Sequence, residues 1–256
     1  MPKLSEIITK KPITVLEYGP SGSGKTSLIG EASKYPELCP IYIADFDGRI
    51  DSLRATLTKE NMANIYSDNF DDGKLVGSAW MTFEAIATNP DSLDKKYGVI
   101  FKTICMDSLT FGMRAQMARI QLLAGKQPGV APTLPEYGSQ GSGILDILTK
   151  LRGCGRNIIV TAHEAGSKDD VTGRMFKSLD VIPSLVSKTP GLFNEFWHTE
   201  ILQAPGKEIE YVIRVRPDIT YSARTSFRTL DSVEKQGLIW KKIVAQLAAE
   251  QLKVVP

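Results

Sequence analysis

Gly19-Pro20-Ser21-Gly22-Ser23-Gly24-Lys25-Thr26 fits G-x-x-x-x-G-K-[ST] at every fixed position. That pattern suits phosphate chemistry. Glycines let successive backbone N–H groups turn toward phosphate oxygens, and the start of the following helix adds positive potential. Lys25 would neutralise β- and γ-phosphates and the Thr26 hydroxyl would reach Mg²⁺, so Gly19 to Ser27 form the expected cradle. The Mg²⁺ shell needs a further carboxylate at the end of a buried strand beside the first one. Asp107 meets that condition, after Ile100-Phe101-Lys102-Thr103-Ile104-Cys105-Met106.

These residues need elements to hold them. Residues 13–18 read as a strand, 25–34 as a helix and 41–44 as a second buried strand. Residues 51–58 and 78–88 have helical spacing, with a short strand over 63–66. A third strand spans 99–106, followed by a helix over 109–123. From 125 to 143 the chain is rich in Gly, Pro, Ser and Gln, which predicts a long surface loop. A helix over 145–151 leads to a fourth buried strand, 157–162, that ends at His163, and a polar stretch over 164–174 follows. Alternating, β-branched segments at 197–203 and 210–215 predict an antiparallel extension of the sheet, and an amphipathic helix over 238–252 closes the chain. Strands alternating with helices predict one α/β domain over residues 1–256, with a mostly parallel central sheet flanked by helices.

Composition narrows the classes. The 256 residues are 42% apolar and 23% charged with a net charge of +2, which excludes a histone-like polycation and leaves any nucleic-acid surface to local clustering. Cys39, Cys105 and Cys154 are odd in number and lack CxxC spacing, and His163 and His198 do not complete a zinc set with them. A reduced, cytoplasmic compartment is expected. Residues 1–5 show no signal pattern, and no apolar run approaches the roughly 20 residues of a membrane helix.

The position of the water-activating carboxylate separates subfamilies. In AAA-type ATPases it directly follows the Mg²⁺-site aspartate, where this chain has Ser108; that weakens the AAA reading. In RecA-type ATPases it ends the strand after the phosphate-loop helix, and Ile43-Ala44-Asp45-Phe46-Asp47-Gly48 offers two candidates, of which Asp47 is favoured. Asp45-Phe46-Asp47-Gly48 also matches the short D-x-x-G pattern of GTPases, but only Ser167-Lys168-Asp169-Asp170 approaches the guanine-reading [NT]KxD, so GTP is discounted.

Residues 12–230 resemble the RecA-type ATPase core, and within it the phage proteins that are little more than that core and act in single-strand DNA annealing and recombination. The carriers are residues 19–26, Tyr42 to Gly48, Phe101 to Thr110, and Asn157-Ile158-Ile159-Val160-Thr161-Ala162-His163-Glu164, in that order. RecA-type proteins usually carry Glu where Asp47 stands. The resemblance implies a RecA-like P-loop NTPase that uses ATP and Mg²⁺ and hydrolyses ATP. It implies that His163 contacts the γ-phosphate and couples it to a DNA-facing segment, 164–190, bearing Lys168, Arg174, Lys177 and Lys188. The loop 125–143, with Lys126 and Tyr137, would be a second such segment. Tyr137, Phe176 and Phe193 are candidate stacking platforms for bases. A homo-oligomer is implied, completed across the subunit boundary by an arginine, with Arg216 and Arg224 favoured over Arg214 and Arg228. Single-stranded DNA and a single-strand-binding protein are the expected partners. The alternatives are a helicase or helicase-loader motor, or a nucleotide-gated interaction protein without DNA activity.

Overall fold

The computed structural model describes residues 12–73, 76–127, 130–168, 173–203 and 205–252. Three near-continuous apolar runs form strands buried on both faces: β1 (Thr14–Gly19), β2 (Ile41–Asp45) and β4 (Thr103–Asp107). With β3 (Ile65–Asn69), β5 (Asn157–Lys168), β7 (Glu195–Leu202), β8 (Glu210–Arg214) and β9 (Val233–Lys235) they order as β3-β2-β4-β5-β1-β7-β8-β9. Neighbours from β3 to β7 pair in parallel; β8 and β9 add antiparallel. This is the architecture expected of a RecA-like P-loop NTPase.

Helices cover both faces. On one lie α1 (Lys25–Ala32) and α8 (Gln236–Leu252), packed through Leu28, Ile29, Ile239, Trp240 and Ile243. The short α2 (Lys59–Met62) connects to β3. On the other face lie α3 (Ser78–Thr88), α4 (Asp91–Tyr97), α5 (Leu109–Leu123) and α6 (Leu134–Gly153), around Phe83, Leu93, Leu109 and Ile144. Because β1, β2, β4 and β5 run in parallel, the loop after β1, Asp47, Asp107 and His163 all emerge at the same end of the sheet.

Several expectations are corrected. The loop expected over 125–143 is helical from Leu134 onward, because Thr133 and Glu136 form a capping box with Pro135 in the first turn. Two of its glycines serve close packing; a methyl at Gly141 would press on Ser184 and one at Gly143 on Gln116. Of the polar stretch expected over 164–174, residues 164–168 are not a loop either, since β5 continues to Lys168 and pairs antiparallel with β6 (Met175–Leu179) as a hairpin, while 169–172 lie outside the described residues. The supposed DNA-facing segment 164–190 therefore contains that hairpin and a short α7 (Pro183–Val186). β7 lies parallel to β1 rather than opening the antiparallel extension, which starts only with β8. Residues 50–55 form a 3₁₀ turn instead of a full helix, and the strand expected from 99 begins at Thr103.

Candidate active site

Gly22 (φ 82°) and Gly24 (φ 92°) take left-handed backbone that only glycine adopts cheaply, and they bend the chain from β1 into the first turn of α1. Gly19 needs its bareness for another reason: a methyl there would collide with the Thr199 carbonyl on β7. Ser23 is buried, with its hydroxyl 2.7 Å from that of Thr199. Within this frame the Lys25 ammonium donates to the carbonyls of Gly19 (2.9 Å) and Pro20 (2.8 Å). Burial lowers its pKa, against the pull of Glu17 and Asp107.

Asp107 is buried at the end of β4. The Thr26 hydroxyl donates to its Oδ2 at 2.7 Å and the Thr161 hydroxyl to its Oδ1. Burial raises its pKa, the two hydroxyls oppose this, and Asp47 and Asp45 add to it. The hard oxygens of Thr26 and Asp107 suit Mg²⁺. Positive-φ glycines and a buried lysine whose hydrogen bonds, among the described residues, go to loop carbonyls suit a polyphosphate. The residues present fit both groups.

Asp47 and Asp45 part company here. Asp45 is a turn cap, accepting from the backbone N–H groups of Gly48 (2.8 Å), Arg49 (3.4 Å) and Ile50 (3.1 Å). Asp47 faces the cavity: its Oδ1 accepts from the Ser108 hydroxyl at 2.6 Å and its Oδ2 lies 2.9 Å from His163 Nε2. Burial pushes the Asp47 pKa up, but hydrogen bonds from His163 and Ser108 outweigh it and the net shift is downward. His163, on β5, is held against α5: its backbone N–H donates to Thr110 Oγ1 (3.0 Å) and its ring meets Phe111 edge-on. One cavity of about 600 Å³ is lined by the phosphate loop, Asp47, Asp107 and His163. That volume is sufficient for a nucleoside triphosphate.

Other expected residues lie elsewhere. Arg216 and Arg224 do not line the cavity; Arg216 is exposed and donates to the Leu230 carbonyl (3.4 Å), whereas Arg224 donates to the carbonyls of Pro190 (2.8 Å) and Phe193 (2.5 Å). Phe193 is 3% exposed and belongs to the core, which removes it as a stacking platform. Tyr137 and Phe176 remain half-exposed. Lys177 is ion-paired with Glu164 (2.6 Å) and Lys126 with Glu136 (2.7 Å), while Lys168 and Lys188 are exposed. Asp169 and Asp170 lie outside the described residues.

Ser108 was missed as a functional residue, although its place directly after Asp107 was a usable signal. Arg49, whose Nη1 donates to Ser21 Oγ at 2.9 Å, lines the cavity too, as do Tyr211, Lys235 and Gln236. No local pattern marks these.

Asp107 ends β4, which is not the strand beside β1 as expected, because β5 lies between the two; a phosphate loop on β1, that carboxylate and a cavity joining them define a P-loop nucleotide-binding protein. A family profile described as an AAA domain (AAA_24) matches residues 11–227, and the chain belongs to that family. No curated protein matches the chain. Among solved structures, it is similar to the RadB recombinase (17% identity, 86% of this chain and 84% of that one, TM-score 0.46). It is also similar to the KaiC-like protein PH0186 of the hyperthermophilic archaeon Pyrococcus horikoshii OT3 (16% identity, 84% and 83%, TM-score 0.45).

Proposed function

We propose that this chain binds and hydrolyses ATP with Mg²⁺ and uses the nucleotide state to control single-stranded DNA binding in annealing or recombination. The observation that carries the reading is the Asp47–His163 contact inside the phosphate cavity, one residue from the Glu164–Lys177 ion pair that ties β5 to β6. A γ-phosphate competing for His163 would be felt at the root of the hairpin.

Lys25 and the loop N–H groups hold the phosphates, and Thr26 with Asp107 hold the cation. Mg²⁺, when bound, neutralises charge on the phosphate oxygens. Asp47, kept ionised by its two hydrogen bonds, orients the attacking water and takes its proton as bonding to phosphorus develops. The whole chain acts as one ATPase unit, and a homo-oligomer would let Arg216 of one subunit reach the site of another. Exposed Lys168 and Lys188, with half-exposed Phe176 and Tyr137, supply charge and ring faces for a single strand.

The test is steady-state ATP hydrolysis with and without single-stranded DNA, with Lys25→Ala as control. Stimulation by DNA that disappears in the variant supports the reading. ATP binding without DNA binding or stimulation refutes the DNA role and leaves a nucleotide-gated interaction protein.

A further inference from the structure

The end of the cavity away from Asp47 is built by the C-terminal strands. Along β8 and its flanks, Ile213 and Val215 are fully buried in the core under α8. By the two-residue period of a strand, Ile209 and Tyr211 belong to the same face. They leave the core and line the cavity instead, 51% and 42% exposed. Among the described residues the Tyr211 ring stacks on no other aromatic ring. Across from them, Lys235 and Gln236 form the junction of β9 and α8, and the Gln236 amide donates to the Gly24 carbonyl at 2.6 Å. That bond fixes the spacing between this end and the phosphate loop. Residues 233–237 lie beyond the 11–227 span of the family match.

We propose that this end is a nucleobase subsite, with Tyr211 as its stacking platform, Ile209 beside it, and Gln236 setting its distance from the phosphates. The proposal rests on the phosphate-site reading above and names where the rest of the nucleotide goes. The surfaces match: a base offers a flat apolar face, and the cavity offers, on strands set across the sheet from Asp47, a ring that has no aromatic partner among the described residues. The polar groups nearby, Glu210 and Lys235, form an ion pair whose side chains are 41% and 69% exposed. Water screens such a pair, so the ring face supplies the affinity and the edge little.

Calorimetric titration of the full-length protein with ATP, GTP and inorganic tripolyphosphate tests this in wild type, Tyr211→Ala, Tyr211→Phe and Lys25→Ala. Stacking on an aromatic ring corresponds to roughly tenfold or more in affinity. Tyr211→Ala is expected to weaken ATP and GTP by about that factor alike, Tyr211→Phe to bind as wild type, and tripolyphosphate to bind Tyr211→Ala normally. Unchanged ATP affinity in Tyr211→Ala overturns the subsite. Equal losses of ATP and tripolyphosphate overturn it as well, because Tyr211 then supports the loop rather than a base. Tripolyphosphate that binds Lys25→Ala as tightly as wild type overturns the phosphate site itself.

Discussion

Asp47→Asn is the substitution on which the proposed chemistry turns. The side chain is 7% exposed and each carboxylate oxygen has one partner, the Ser108 hydroxyl on Oδ1 and His163 Nε2 on Oδ2. Asparagine keeps the shape. Its amide N–H can donate to Ser108, whose hydroxyl turns to accept, while its carbonyl still accepts from His163. Two hydrogen bonds to a charged group become neutral ones, a loss of about 1–2 kcal/mol in folding stability. The sign with pH follows from the depressed pKa: the contribution is present above the ordinary aspartate value of about 3.9 and is lost as pH falls through the folded value. In Asp47→Asn that acid-side loss disappears. Nucleotide affinity is expected to stay within about threefold, because Lys25, Thr26 and Asp107 are untouched. Hydrolysis is expected to fall by roughly 10²–10⁴, the range for removing a positioned acid–base group. Single-turnover hydrolysis beside equilibrium ATP binding reads both quantities. A variant that binds and hydrolyses at wild-type rates would refute the role of Asp47, and since Asp45 is committed to three backbone N–H groups the carboxylate would have to come from elsewhere.

Lys25→Ala removes the buried ammonium from the loop and should abolish measurable hydrolysis, with ATP affinity down at least tenfold by calorimetry. Glu17 on β1 is fully buried, and neither carboxylate oxygen has a partner among the described residues. Burial, with Asp107 adding and Lys25 opposing, raises its pKa well above the ordinary value. The folded state therefore favours its protonated form, and stability falls as pH rises from about 4.3 through the folded value. Glu17→Gln should flatten that fall and be more stable than wild type at pH 8 by about 1 kcal/mol or more, read from urea midpoints at pH 5 and pH 8. Trp240→Phe keeps a ring against Trp197 but loses the indole N–H donated to the Leu28 carbonyl, and it should lower stability by about 1–2 kcal/mol in the same assay.

The phosphate loop could be read directly because its chemistry is a matter of spacing along eight consecutive residues. Asp107, Asp47 and His163 could be read because each ends an apolar run, and parallel runs bring their ends together. Strand direction was not legible at β7, since alternation of residues carries no sense of parallel or antiparallel. The start of α6 was obscured by its glycines, which outweighed the Thr133-Leu134-Pro135-Glu136 cap. Beyond His163 the chain has no buried face to betray a strand, so the β5–β6 hairpin passed for a loop. Ser108 lay next to a residue already chosen and was read only as an absent carboxylate. Gln236 reaches the cavity through a bond to Gly24, 212 positions away, and Tyr211 reaches it through the place of β8 in the sheet, neither of which a local pattern records.

The two bonds from α8, Gln236 to the Gly24 carbonyl and Trp240 to the Leu28 carbonyl, each join residues 212 positions apart. The phosphate loop and its brace are thus supplied by segments more than two hundred residues apart. During synthesis the loop emerges early, yet its brace is made only after more than two hundred further residues. A growing chain would carry the complete phosphate motif long before it had a finished site, so competence to hold nucleotide arrives only once α8 has been made.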